Sequence, residues 1–183
     1  EVHGQGINGL NFNKLMKKKL NINEKIKPFN KTIGVNGDKS ISIRWLILSS
    51  LALGKSTSIN LLKSEDVQST IKCLKKLGIK IILRKNICEV HGQGINGLNF
   101  KKNLVLNTGN SGTLSRLLFG LLIKTPFPIK IVGDKSLSLR DFKRVIVPIK
   151  KFGVNFTPMN NFKLPINING TNYPSPIFYK ENI

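Results

Sequence analysis

Acidic residues are scarce in this chain. Nine Asp and Glu stand against thirty Lys and Arg in 183 residues, leaving a formal net charge of +21. Such a surface suits anionic partners: phosphates, carboxylates, nucleic acid or a membrane surface. Cysteine is nearly missing, with only Cys73 and Cys88. Two thiols exclude a disulfide scaffold and fit a reducing compartment. Histidine is limited to His3 and His91, and no ligand cluster has metal spacing. Aromatics make up 7%, with no stacking motif or recognition-helix pattern for nucleic acid. Apolar runs such as Leu117 to Ile123 are far too short to span a bilayer. No heptad period or signal-peptide pattern is visible, and the chain opens on Glu1 rather than Met.

What remains is a globular composition, 40% hydrophobic and 21% charged. The length suits one domain or two small ones. The lysines are dispersed and read mostly as a solvated coat. Two repeats stand out. Glu1 to Phe12 (EVHGQGINGLNF) recurs letter for letter at Glu89 to Phe100, an identity unlike that of diverged structural repeats. Residues 1–26 are therefore expected to be a duplicated, disordered head, with Met16 a candidate true start. The second repeat is imperfect: Gly37-Asp38-Lys39-Ser40-Ile41-Ser42-Ile43-Arg44 against Gly133-Asp134-Lys135-Ser136-Leu137-Ser138-Leu139-Arg140. Each is a glycine turn running into a helix start.

Periodicity and breakers give a coarse element order. Thr32 to Val35 reads as a strand, Ile41 to Leu53 as a buried helix stopped by Gly54, and Ser56 to Leu62 as a strand. Ser64-Glu65-Asp66 caps a helix that runs to Gly78. Ile79 to Leu83 and Ile87 to Val90 flank a turn at Arg84-Lys85-Asn86. The order then recurs: strand Leu104 to Leu106, loop Asn107 to Gly112, helix Thr113 to Leu122 and strand Ile129 to Val132. Helix Leu139 to Phe152 follows, then strands Val154 to Thr157 and Leu164 to Ile168. The expectation is an α/β fold of the α+β type. It has two β-α-β-α-β-β units, about 32–100 and about 101–170.

Gly92-Gln93-Gly94-Ile95-Asn96-Gly97 matches G-x-G-x-x-G, but no helix pattern follows it and no acid stands about 20 residues on, so it reads as a plain loop. Gly34 to Ser40 is too short between its glycines for a P-loop. Three other places suit anions. Lys39-Ser40 precedes an apolar helix, with Arg44 one turn on; a capped helix with a solvated lysine is the plain alternative. Asn107-Thr108-Gly109-Asn110-Ser111-Gly112-Thr113 is a glycine-bearing loop before a helix with no charge until Arg116. Arg140, at the start of a third helix, can grip a carboxylate or phosphate with two prongs.

These residues carry a resemblance. GDKSISIRW (Gly37–Trp45), SEDV (Ser64–Val67), NTGNSGTLSR (Asn107–Arg116) and GDKSLSLRDF (Gly133–Phe142) resemble, in order and spacing, the 5-enolpyruvylshikimate-3-phosphate (EPSP) synthase family. The likeness runs from about Lys27 to Ile183, so 27–183 is expected to be a partial enolpyruvyl transferase domain. The resemblance implies two domains of three β-α-β-α-β-β units with the active site between them. It implies transfer of enolpyruvyl from phosphoenolpyruvate to the 5-hydroxyl of shikimate 3-phosphate, with no cofactor, no metal and no nucleic-acid or membrane partner, in a cytoplasmic enzyme that is monomeric when complete. By position, Lys39 resembles a phosphoenolpyruvate-contacting lysine, and Ser40 and Arg44 resemble shikimate 3-phosphate ligands. Asn110, Gly112 and Thr113 resemble the loop beside the phosphoenolpyruvate phosphate, and Arg140 its arginine clamp.

The sequence also departs from the family. Ile43 stands where an asparagine is common, and Leu117 and Asp141 where prolines follow the matching arginines. The residues that move protons are expected beyond Ile183, so the chain reads as a fragment with weak anion binding, no turnover and uncovered apolar surface. The competing readings are the enolpyruvyl transferase acting on UDP-N-acetylglucosamine, which usually has Lys-Asn at Lys39-Ser40, a basic nucleic-acid-binding module, and a non-catalytic remnant.

Overall fold

Four short polar side chains set where helices begin. In the computed structural model, which describes residues 34–158 and 161–180, the side chains of Asp38, Ser64, Ser111 and Asp134 each accept a backbone N–H from the turn that follows. The first N–H groups of a helix have no internal acceptor, and such a cap supplies one. These residues open α1 (Lys39–Leu51), α2 (Glu65–Lys76), α3 (Gly112–Leu121) and the single turn α4 (Lys135–Ser138). A fifth helix, α5 (Lys143–Lys150), starts at Phe142 without a side-chain cap. In α2 the acids Glu65 and Asp66 occupy the first turn and Lys75 and Lys76 the last, the arrangement the helix dipole favours.

The strands are β1 (Leu53–Ile59), β2 (Lys80–Leu83), β3 (Ile87–Gln93), β4 (Val105–Asn107), β5 (Ile129–Val132), β6 (Asn155–Thr157) and β7 (Ile166–Asn169). One sheet has the order β1-β3-β2, antiparallel throughout. The other has the order β4-β5-β7-β6, with β4 and β5 parallel and the remaining pairs antiparallel. Ile43 and Leu46 of α1, Leu74 of α2, Leu118 and Phe119 of α3, and Ile131 and Ile168 of the second sheet are all buried. Phe119 meets Phe142 and Phe156 edge to face, each at 5.6 Å between centroids. The described residues after Gly34 form one compact unit. Among them no helix is long and apolar enough to cross a membrane.

Three local expectations are corrected. First, α1 stops at Leu51, not Leu53, and Gly54 (φ +89) lies inside β1, opposite Gly92. The cause is β3. Gly92 packs so closely that a Cβ there would stand 2.3 Å from the Ala52 carbonyl oxygen, and Gly94 N donates to the same oxygen at 3.0 Å. Second, β1 ends at Ile59, and Asn60 (φ +59) turns the chain away. Third, the helix expected over Leu139–Phe152 is broken, and Arg140 lies between α4 and α5 rather than opening a helix. Asp141 accepts from Lys143 N, competing with helical bonding. Phe142 N donates to the Phe162 carbonyl at 2.9 Å, and the Phe142 ring enters the core. The first two residues of the G-x-G-x-x-G stretch, Gly92 and Gln93, end β3, and the rest is the expected loop leaving it. Thr32 and Ile33 of the first expected strand lie outside the described residues, as does the duplicated head; Gly34 and Val35 have no strand pairing.

Candidate functional site

Because β4 and β5 are parallel neighbours, the segments after them leave the same end of the sheet. Thr108 N donates to Val132 O (2.9 Å) and Asp134 N to Gly109 O (2.9 Å), tying the two loops together. Buried hydroxyls brace them from below. Ser115 Oγ lies 2.8 Å from Thr108 Oγ1 and 3.0 Å from Ser111 O, while the Thr108 hydroxyl donates to Val132 O at 3.0 Å. At the base, Cys73 Sγ donates to Asn107 O at 3.3 Å. Burial pushes that thiol up to about 12, so it stays protonated and serves packing rather than attack.

Two arginines meet above this loop. Arg140 Nη2 donates to Asn110 Oδ1 at 3.1 Å. A Cβ placed on Gly112 would lie 3.2 Å from Arg140 Nη1 and 2.7 Å from Arg116 Nη1. Arg116 Nη1 donates to Gly112 O at 3.1 Å, and its guanidinium sits 5.1 Å from the Phe142 ring centroid. Among the described residues the ion pairs are Lys39–Asp66 and Arg84–Glu89, so neither arginine is neutralised by a carboxylate. Two adjacent guanidiniums can hold an anion through charge-assisted hydrogen bonds. Sequence reasoning left Arg116 out of the site. Its signal was the four-residue spacing from Gly112, which puts both on one helix face.

The other expected residues gather at the front of α1. Asp38 Oδ1 caps Ile41 N at 2.7 Å, and Arg44 Nη1 folds back to Ser40 O at 3.1 Å. Lys39 Nζ rests 3.5 Å from Asp66 Oδ2, the two side chains 50% and 20% exposed. A pair this exposed contributes about 0–1 kcal/mol, so an incoming anion can draw the lysine away readily. The structure thus brings Asn110, Gly112 and Arg140 together, with half-buried Thr113 beside them in α3. Lys39, Ser40 and Arg44 form a second group. Among the described residues no hydrogen bond or ion pair joins the two groups directly. Asp66 of α2 holds Lys39, and one turn on, Ser69 Oγ lies 2.9 Å from where a Cβ on Gly109, the residue before Asn110, would stand.

Arg116, Arg140, Lys39 and Arg44 supply cationic donors, and the one carboxylate paired with them among the described residues is Asp66 on Lys39, so the arrangement suits anions. Among the described residues no group of three or more His, Cys, Asp or Glu could hold a metal. The profile of the family described as EPSP synthase (3-phosphoshikimate 1-carboxyvinyltransferase) matches residues 23–180. The chain belongs to the EPSP synthase family. It is 40% identical over 163 residues to the 3-phosphoshikimate 1-carboxyvinyltransferase of Streptococcus pyogenes serotype M2, covering 88% of this chain and 38% of that protein. The serotype M4 protein of the same name is 41% identical over 153 residues, covering 83% and 36%. Among solved structures, an EPSP synthase from Acinetobacter baumannii superposes with a TM-score of 0.74 at 32% identity, over 80% of this chain and 34% of that one. The chain therefore spans little more than a third of the length of the relatives it matches.

Proposed function

We propose that this chain carries part of the substrate-binding surface of a 3-phosphoshikimate 1-carboxyvinyltransferase. In that reaction the 5-hydroxyl oxygen of shikimate 3-phosphate bonds to C2 of phosphoenolpyruvate while a proton goes to C3. Loss of inorganic phosphate and of a C3 proton from the tetrahedral adduct restores the double bond. Arg140, Asn110, Gly112 and Thr113 hold phosphoenolpyruvate with Lys39, and Ser40 and Arg44 take shikimate 3-phosphate. Their contribution is charge neutralisation and alignment. The reading assigns the proton transfers to no residue of this chain. The reading includes two β-α-β-α-β-β units within 27–183 after a dispensable head at 1–26, no cofactor, a cytoplasmic location and a monomeric complete enzyme.

The observation that supports it most is the pair of guanidiniums over Gly112, neither of which is ion-paired to a carboxylate among the described residues. Titrating the labelled chain with phosphoenolpyruvate should shift the amides of Gly109 to Thr113 and Arg140 first. Arg140→Ala should weaken that binding about tenfold or more, as loss of a charge-assisted contact predicts. Shifts confined to other surfaces, or an unchanged affinity in Arg140→Ala, would remove the assignment. With both substrates present the chain alone should release no phosphate; turnover would overturn the placement of the proton-moving groups.

A further inference from the structure

The tip of the β2–β3 hairpin, the Asn60–Ser64 connection and the first turns of α2 enclose a pocket of about 560 Å³. None of Arg140, Arg116 or Gly112 lines it, and its chemistry differs from that of the loop site. Its walls include Leu62, Ile71 and Ile87, and its rim carries Lys63, Arg84 and Lys85. No carboxylate is among its lining residues. Lys63 Nζ donates to Lys85 O at 3.1 Å, which holds the ammonium over the hairpin tip. Arg84 reaches Glu89 at 3.6 Å but remains 65% exposed, leaving donors on its fork unused. Leu83 and Ile87 are 47% and 38% exposed, so apolar wall stands open to water.

Each feature narrows the occupant. A bare phosphate would satisfy the cations but leave the apolar wall wet. A neutral hydrocarbon would cover the wall but bring no anion to a rim of three cations that shares only Glu89. The volume falls within the roughly 300–1,000 Å³ of small-molecule sites. From these features we infer that the pocket binds a small carboxylate with a flat apolar body, the carboxylate on Lys63, Arg84 and Lys85 and the body against Leu83 and Ile87. The inference does not depend on the reaction proposed above.

The test uses naphthalene-2-carboxylate as the probe, followed by amide shifts of the labelled 183-residue chain. Saturating shifts are expected at Gln68, Leu83 and Ile87, and they should persist in excess inorganic phosphate, which fits the loop site instead. Naphthalene-2-methanol, matched in shape but neutral, should bind about tenfold more weakly, the difference expected of one charge-assisted contact. Lys85→Glu should weaken the carboxylate and leave the alcohol unchanged. Equal affinity for the two probes, displacement by phosphate, or shifts confined to Gly109–Arg140 would each overturn the proposal. The probe comparison uses the unaltered chain and does not depend on a variant folding.

Discussion

Gly112 is the residue where the site has least room. A methyl group there would meet Arg116 Nη1 at 2.7 Å and Arg140 Nη1 at 3.2 Å, both far ends of flexible side chains rather than backbone. Gly112→Ala should therefore displace the two guanidiniums while leaving the unfolding midpoint nearly unchanged. The expected outcome is phosphoenolpyruvate affinity lowered about tenfold, with a denaturation curve close to that of the parent. Cys73 gives a pH prediction. Burial raises its thiol from the ordinary 9.0 to about 12. Below pH 9 folded and unfolded chains both hold the proton, and the contribution is complete. Between pH 9 and 12 the unfolded thiol ionises while the folded one does not, so stability falls by up to about 1.4 kcal/mol per pH unit. Urea midpoints at pH 8 and pH 10 should diverge less in Cys73→Val. Residue types were legible in the sequence here, but their contacts were not. Asn110 and Arg140 stand thirty positions apart, and only the parallel β4–β5 pair explains their hydrogen bond.

At the scale of elements, one octapeptide makes the same cap twice and two different helices. Asp38 accepts from Ile41 N and Asp134 from Leu137 N, each at 2.7 Å. The helix that starts in the first copy runs on through the thirteen residues of α1; the one that starts in the second breaks after one turn, because Asp141 and Phe142 are drawn elsewhere. The Ser64 cap and the two helix starts were readable because they are local chemistry, whereas the break depended on Phe162, twenty residues downstream of Phe142. The same reason explains the missed boundary at Ala52, set by Gly92 of a distant strand. Each cap predicts a loss of about 1 kcal/mol on replacement by Ala. Asp38→Ala should show it in the urea midpoint. Asp134→Ala should lower phosphoenolpyruvate affinity as well, because α4 leads directly into Arg140. Gly92→Ala is the severe case. Its Cβ would stand 2.2 Å from Ser49 O and 2.3 Å from Ala52 O, both backbone, in the central strand of its sheet. A loss of about 3 kcal/mol or more is expected in the same measurement.

At the scale of the whole molecule, the helices that carry the anion site also border open apolar surface. Ile47 and Leu51 of α1, Leu117 and Leu121 of α3, and Phe152 line a groove of about 680 Å³. The charge of +21 keeps copies apart in low salt, and the groove favours their association once salt screens that charge. The charge was legible as composition and uncovered apolar surface as what a partial resemblance implies, but the groove itself was not, because its lining comes from α1, the Gly94–Phe100 loop, α3 and Phe152 together. Leu51→Lys and Leu121→Lys place charges at its lip, where long side chains can keep their heads in water. These variants should bind less of a fluorescent apolar dye and should sediment as smaller species at high salt than the parent. The phosphoenolpyruvate response at Gly109–Arg140 should be unchanged in both, because the loop site is built on the front end of α3 and the segment after α4, and the groove on the flanks of α1 and α3. Loss of that response together with dye binding would show that the groove and the anion site are mechanically one.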